Sequence, residues 1–350
     1  MKKHANIPIF IPHLGCPNDC VFCNQRIISG HMEFDENDVK KDIESALISI
    51  ERIGEIEEIE IAFFGGSFTG IDRGLMIRLL KCAHGYIESG RVHSIRLSTR
   101  PDYIDGEILS ILKEYGVRTI ELGLQSMNDD VLSASKRGHT ALDGEIACRL
   151  IKEQGFELVG QMMIGLPSSS LQNEIATAEK ICAMGADGAR VYPTVVFFDT
   201  ELCHMAERGE YIPLDNESAV RRCAEVLKIF DKNNIPCIRV GLCASENLSS
   251  VEQVYGGANH SAIGELAMGE VFFDEMCREL DGLPDDGIDK NITFYVPVGA
   301  LSKAVGQKKR NINRIKDKYF VKKHIKSVKI LEKNELLGYN IKMEFSNKEG

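Results

Sequence analysis

Three cysteines, Cys16, Cys20 and Cys23, stand close together with the spacing C-x3-C-x2-C. A thiolate is a soft ligand, and three of them on one tight loop can hold three irons of a [4Fe–4S] cubane. A complete ligand set needs a fourth donor, and the next cysteine in the chain is Cys82. The pattern therefore reads as a cluster with one iron left open for a substrate or cofactor, the feature that separates catalytic from structural metal sites. Two blander readings stand beside it. The chain has 11 cysteines, and a free cysteine is often a small buried hydrophobe. Zinc is the other candidate, but it usually takes paired C-x2-C knuckles or histidine partners, and no second knuckle follows. Gly15, Pro17, Asn18 and Asp19 around the thiols suit a loop better than a core.

The elements that must position this loop follow from periodicity. A short apolar run precedes the cysteines and reads as a strand. Helical patterns over 35–52, 71–87, 105–115, 140–153, 171–184 and 218–233 then alternate with strands over 57–64, 93–97, 118–122, 156–163, 188–192 and 236–240. A repeated β/α alternation implies a parallel sheet covered by helices. The fold class expected is α/β, a partial (β/α)6 barrel, with a complete eight-fold barrel as the alternative; the alternation fades after about residue 244. Ligands of such folds gather at the carboxyl ends of the strands. Gly65 and Gly66 end one strand there, and paired glycines leave backbone groups open to a ligand. Ser98 and Arg100 end the next, and Gln125 and Ser126 the one after; their hydroxyl, guanidinium and amide groups could hold ribose or carboxylate oxygens. Ser126 could equally cap a helix. Arg190, Tyr192 and Arg239 face either the barrel lumen or the helix layer, and the stretch 136–140 could be an ordinary solvated loop.

The chain has 350 residues, 43% hydrophobic and 27% charged, which allows one large globular domain and a small one. It carries no run of eighteen apolar residues, so no membrane partner is expected. No apolar signal region precedes the cysteines, and the odd cysteine count suits a reducing cytoplasm. Net charge is −10, unevenly spread. Residues 301–330 hold eleven Lys and Arg against Asp317 alone, a segment of +10 on a remainder of −20. Such a block points to an anionic partner, or to docking on the acidic remainder. The expected division is a barrel over 1–280, a turn-rich linker over 281–290 and a small basic domain over 291–350. The tail reads as strand 292–296, helix 300–305, a turn at Gly306-Gln307-Lys308-Lys309, helix 310–318, and strands 324–331 and 337–345. This order resembles the core of a KH domain, whose G-x-x-G loop clamps single-stranded nucleic acid. Lys309 stands where the second glycine would be. Lys308, Lys309 and Arg310 at a helix N-terminus are the candidate phosphate contacts.

With Phe22 before Cys23, the cysteine loop also resembles the signature C-x3-C-x-aromatic-C of the radical S-adenosylmethionine (SAM) superfamily. That resemblance implies a [4Fe–4S] cluster on Cys16, Cys20 and Cys23 and SAM on the open iron. It also implies cleavage of SAM to a 5′-deoxyadenosyl radical and an electron donor such as flavodoxin or ferredoxin. Gly65 and Gly66 match the Gly-Gly that holds the SAM amino group, with Ser98, Arg100 and Gln125 as further contacts; Ser67 replaces the usual acid. Leu122-Gly123-Leu124-Gln125-Ser126, Ser135-Lys136-Arg137-Gly138-His139-Thr140, Ser98-Thr99-Arg100-Pro101-Asp102-Tyr103 and Val191-Tyr192-Pro193-Thr194-Val195 narrow the likeness. Together they resemble the radical SAM part of the Elongator catalytic subunit over about residues 1–270. The acetyltransferase half of that family, with its R-x-x-G-x-G/A loop, is not expected here, so acetyl transfer is not carried over. The function implied is radical modification of RNA, in particular tRNA. The alternatives are a radical SAM enzyme for a small metabolite or peptide, and a non-catalytic iron–sulfur electron carrier. No catalytic residue beyond the cofactor sites is assigned.

Overall fold

The structure is a computed structural model and describes residues 4–11, 16, 20–24, 34–54, 56–242 and 253–347. The first half runs β1 (His4–Ile11), α1 (Val39–Ile53), β2 (Glu58–Gly65), α2 (Arg73–Glu88), β3 (Ser94–Thr99), α3 (Gly106–Glu114) and β4 (Val117–Gln125). It continues with α4 (Asp129–Ala134), α5 (Ala141–Glu153), β5 (Glu157–Ile164), α6 (Leu171–Ala183) and β6 (Gly188–Pro193). A short ribbon strand β7 (Val195–Phe197) and α7 (Glu201–Glu207) lead to α8 (Asn216–Lys232), β8 (Cys237–Val240) and β9 (Val254–Gly257). Then come α9 (Ile263–Asp281), β10 (Lys290–Val296), α10 (Leu301–Val305), α11 (Arg310–Tyr319), β11 (Ile325–Glu332) and β12 (Lys342–Asn347).

Seven strands form one sheet in the order β1-β2-β3-β4-β5-β6-β8, every neighbouring pair parallel. Each strand alternates between two kinds of surroundings, as a period of two requires. Ile7, Ile9, Ile61, Phe63, Ile95, Leu97, Ile120, Leu122, Met162 and Val191 face the helices and join one buried core. The other face is polar. Glu60, Arg96, Glu121 and Arg190 are paired there: Arg96 bonds Glu60 at 2.8 Å and Glu121 at 3.0 Å, and Arg190 bonds Glu121 at 2.8 Å. The Arg190 guanidinium also lies 5.7 Å from the Phe64 ring. β2 and β6 are four strands apart, which in a flat sheet is about 19 Å. Contact across that span shows that the sheet curls into a partial barrel with this face as its lumen. Arg190 therefore points into the lumen, not into the helix layer, and Tyr192, two residues on, contacts it.

Local sequence sets the helix starts. Asp72, Asp105, Asn128, Thr140, Ser170, Thr200 and Asp215 each accept a backbone N–H at a helix N-terminus. Asn128, not Ser126, caps α4; the Ser126 hydroxyl instead accepts the Asn128 N–H.

The carboxyl-terminal unit is a three-stranded sheet, β11-β10-β12, parallel on one side and antiparallel on the other, with α10 and α11 packed on it. Its last strand begins at Lys342 rather than near 337. The preceding chain dips toward the barrel: Tyr339 packs on Phe272 with ring centroids 5.2 Å apart, and its N–H bonds Asp231. α9 belongs to both units. Ala267 and Val271 join the barrel core, while Phe272, Phe273, Met276, Cys277 and Leu280 pack with Ile292, Phe294, Val296, Ala304, Ile315 and Tyr319.

Candidate radical SAM site

β1 ends at Ile11, and Cys16, Cys20 and Cys23 follow it in the sequence. Next to Ile11, Gly65 has φ 114 and Gly66 donates its N–H to the Ile11 carbonyl at 3.0 Å. A Cβ at Gly65 would come within 2.8 Å of the same oxygen. A side chain is strained on that backbone, so the glycine at 65 is dictated by the close approach of β1 and β2. Gly66, Ser67 and Ser98 line a small hollow with Ile11, Phe63, Phe64, Phe68 and Ile71. The Ser67 hydroxyl is occupied with structure: it pairs with Thr99 at 2.8 Å and accepts the Arg100 N–H.

The structure brings Cys16 and Cys20 into the same electrostatic surroundings. Burial pushes the Cys16 thiol up, the charges of Arg137 and Arg100 pull it back, and Cys20 and the Ser67 backbone N–H are its other neighbours. Cys20 is buried, and its sulfur accepts a hydrogen bond from Arg137 Nη1 at 3.4 Å. Cys23 follows on a tight turn closed by its N–H to the Cys20 carbonyl at 2.9 Å, and is half-buried. Among the described residues, no three His, Cys, Asp or Glu side chains stand ready at metal-binding distances. Two outside contacts fix this turn. Val21 N–H bonds the Ser135 carbonyl, and the Val21 carbonyl accepts the Leu202 N–H of α7. Val21 is buried with Val196, Leu202, Cys203 and Tyr211.

Two guanidiniums sit beside the thiols. Arg100, 2% exposed, forks onto Asp102 with two bonds of 2.9 Å and donates Nη2 to the Arg137 carbonyl at 2.6 Å. Arg137 donates Nη2 to the Gly123 carbonyl at 2.8 Å. Gln125 ends β4 with φ 64. Arg100 Nη1, Arg137 Nε and Gln125 Oε1 are buried with no hydrogen-bond partner. Buried polar atoms are almost always paired in native proteins. Unsatisfied donors and an unsatisfied acceptor near Cys16 and Cys20 fit an iron–sulfur cluster and a zwitterionic cofactor there.

Arg137 and His139 are the residues that periodicity misses. The stretch 136–140 reads equally well as a solvated loop, yet both side chains are buried. His139 Nε2 faces the Leu124 carbonyl at 3.3 Å, and burial with the nearby Arg137 charge lowers its pKa to about 4. At neutral pH it is uncharged. The only sequence signal for either residue is the string 135–140 itself.

The basic turn belongs to the carboxyl-terminal unit. Gly306, Lys308 and Lys309 all have left-handed backbone, with φ 75, 50 and 60. Lys308 and Lys309 are exposed, and Arg310 opens α11 half-buried. Part of the basic block is spent internally. Arg314 forks onto Glu270 of α9 at 2.5 and 2.8 Å, Lys323 bonds the Leu283 carbonyl at 2.7 Å, and Lys326 pairs with Asp289.

The description Radical SAM superfamily matches residues 10–181, and Radical_SAM C-terminal domain matches 186–271. The chain belongs to the radical SAM superfamily. This radical SAM chain is 28% identical over 238 residues to a tRNA uridine(34) acetyltransferase of Methanocaldococcus jannaschii, covering 62% of this chain and 43% of that one. It is 28% identical over 232 residues to Elongator complex protein 3 of Mus musculus, covering 61% and 41%. The chain thus spans less than half the length of these two curated relatives. In structure it is similar to the archaeal Methanocaldococcus infernus Elp3 with an N-terminal deletion, with TM-score 0.61 at 20% identity, over 80% of this chain and 64% of that one. The radical SAM chain is an enzyme. No helix among its described residues is long and apolar enough to cross a membrane.

Proposed function

We propose that this enzyme holds a [4Fe–4S] cluster on Cys16, Cys20 and Cys23 and uses SAM to modify RNA, with tRNA as the substrate class. With both groups bound, the site would supply reductive cleavage of SAM to a 5′-deoxyadenosyl radical, the electron coming from a flavodoxin- or ferredoxin-like donor in a reducing cytoplasm. The observation that carries the reading is the pairing of Cys16 and Cys20 beneath two buried guanidiniums at the glycine-ended cleft.

The chain's own residues divide the work. Gly65 and Gly66 keep the strand-end backbone free of side chains, so the SAM amino group can approach its carbonyls. Arg100 Nη1, a buried donor without a protein partner, is left to donate to the SAM carboxylate. Gln125 Oε1 and the Ser98 hydroxyl offer polar contacts for the ribose. The lumen below is closed by the paired Glu60, Arg96, Glu121 and Arg190, so a substrate group entering from the strand ends meets a polar floor.

RNA as substrate rests on the similarity to a tRNA uridine(34) acetyltransferase and on the small unit. Lys308 and Lys309 sit on a left-handed turn and Arg310 opens the helix after it, where cationic side chains can meet phosphates. The test is anaerobic reconstitution followed by incubation with SAM, dithionite and total cellular tRNA. The expected result is 5′-deoxyadenosine together with a mass change in a tRNA nucleoside. Deoxyadenosine formed without any RNA change, and no salt-dependent tRNA binding, would remove the RNA assignment and leave a small-molecule or peptide substrate.

A further inference from the structure

We infer that Arg137 is a positioning residue for the iron–sulfur site: by donating to the Cys20 sulfur and placing an uncompensated positive charge beside it, it raises the potential at which the cluster accepts its electron. The inference rests on the cluster reading above and names a determinant of it.

The contact is built, not incidental. Arg137 is 7% exposed, its Nη1 lies 3.4 Å from Cys20 Sγ and its Nη2 donates to the Gly123 carbonyl at 2.8 Å. Its own carbonyl accepts from Arg100 at 2.6 Å, and its N–H bonds the Leu132 carbonyl at 2.9 Å. The adjoining Ser135 carbonyl holds the Val21 N–H, so the segment carrying the guanidinium and the turn carrying the thiol are tied together at backbone level. β4 is cut away to admit the group: a Cβ at Gly123 would stand 2.8 Å from Arg137 Nη2.

The two buried arginines are not equivalent. Arg100 is neutralised by its fork onto Asp102. Among the described residues, no carboxylate pairs with Arg137, and its Nη1 is directed at the Cys20 sulfur. A cluster that takes one electron from a donor becomes one unit more negative, with no bond made or broken. A fixed cation at this distance in a buried site favours that form. Hydrogen bonds to the ligand sulfurs are a recognised lever on cluster potentials.

The experiment is a redox titration of the anaerobically reconstituted, full-length enzyme without SAM, with dithionite as the one-electron donor and the reduced cluster followed by electron paramagnetic resonance. Iron content is measured on each sample. Arg137→Gln at full iron content is expected to lower the reduced-to-oxidised ratio at a set potential about tenfold, a midpoint shift of about 59 mV downward. Arg137→Lys, which keeps the charge, is expected to shift less. Gly123→Ala, which keeps the arginine but crowds it off the sulfur, is expected to shift in the same direction as Arg137→Gln. Fully loaded Arg137→Gln and Gly123→Ala proteins with wild-type midpoints overturn the inference and leave the cluster reading intact. Should Arg137→Gln not load, unshifted midpoints in the other two variants overturn it equally. Wild-type protein that takes up no iron overturns both readings together.

Discussion

The sulfur of Cys20 and the guanidinium of Arg137 show how much of this site depends on single atoms. Each of Cys16→Ala, Cys20→Ala and Cys23→Ala should reduce bound iron from about four per chain to a small residue, measured by iron assay after anaerobic reconstitution. The fold should survive, because the thiols lie on a turn outside the main core. His139 yields a second outcome with a definite sign. Its folded pKa is about 4, below the ordinary 6.5, because burial and Arg137 disfavour the charged ring. Between those values the unfolded chain binds the extra proton, so stability is complete above pH 6.5 and falls as pH drops toward 4. The full effect is about 3 kcal/mol. Urea melts at pH 7 and pH 5 should show about 2 kcal/mol of this loss in the wild type and a much smaller one in His139→Asn. Cys16, Cys20 and Cys23 stand out by their spacing, and Gly65 and Gly66 by following a strand and by the family resemblance. Arg137 and His139 were not legible in the sequence, because a buried polar loop and a solvated one have the same composition; only their partners, Cys20 and Leu124, distinguish them.

At the scale of elements, the strand ends carry the site, and they tolerate little. Gly65→Ala would force a side chain into a backbone with φ 114 and against the Ile11 carbonyl. A cost of about 1–3 kcal/mol is expected, with loss of SAM binding by equilibrium dialysis exceeding the loss of melting temperature. In the lumen, Glu121 holds both Arg96 and Arg190 and is 1% exposed. Glu121→Gln leaves two buried guanidiniums short of one charge, and a destabilisation of about 3–5 kcal/mol is expected in urea melts. The β/α alternation was readable because each strand and each outer helix buries one face. α9 was not anticipated, and its surroundings explain why. It packs Ala267 and Val271 on one core and Phe272, Met276 and Leu280 on another, so its apolar residues do not mark a single helical stripe. The strand expected over 337–345 begins later, because Gly338 and Tyr339 are given to a contact with α8 and α9 that no alternation announces.

Over the whole molecule, a basic unit stands on an acidic barrel, and its cations divide into two sets. Arg314, Lys323 and Lys326 fasten the unit internally or to α9. Lys308, Lys309 and Arg310 sit at the left-handed turn. Replacing those three with alanine should weaken tRNA binding uniformly across sequences and reduce the slope of log K against log salt by about 2. SAM-dependent spectral changes should be unaffected. The arrangement of α9 also bears on how the two halves can be dissected. Cutting the chain near residue 290 would leave Phe272, Phe273, Met276, Cys277 and Leu280 facing water along one side of a helix that still belongs to the barrel. Such a shortened protein would self-associate through that bared greasy edge, and its silence toward RNA would report clumping instead of a missing recognition surface. Separating catalysis from recognition therefore calls for surface replacements in the intact chain.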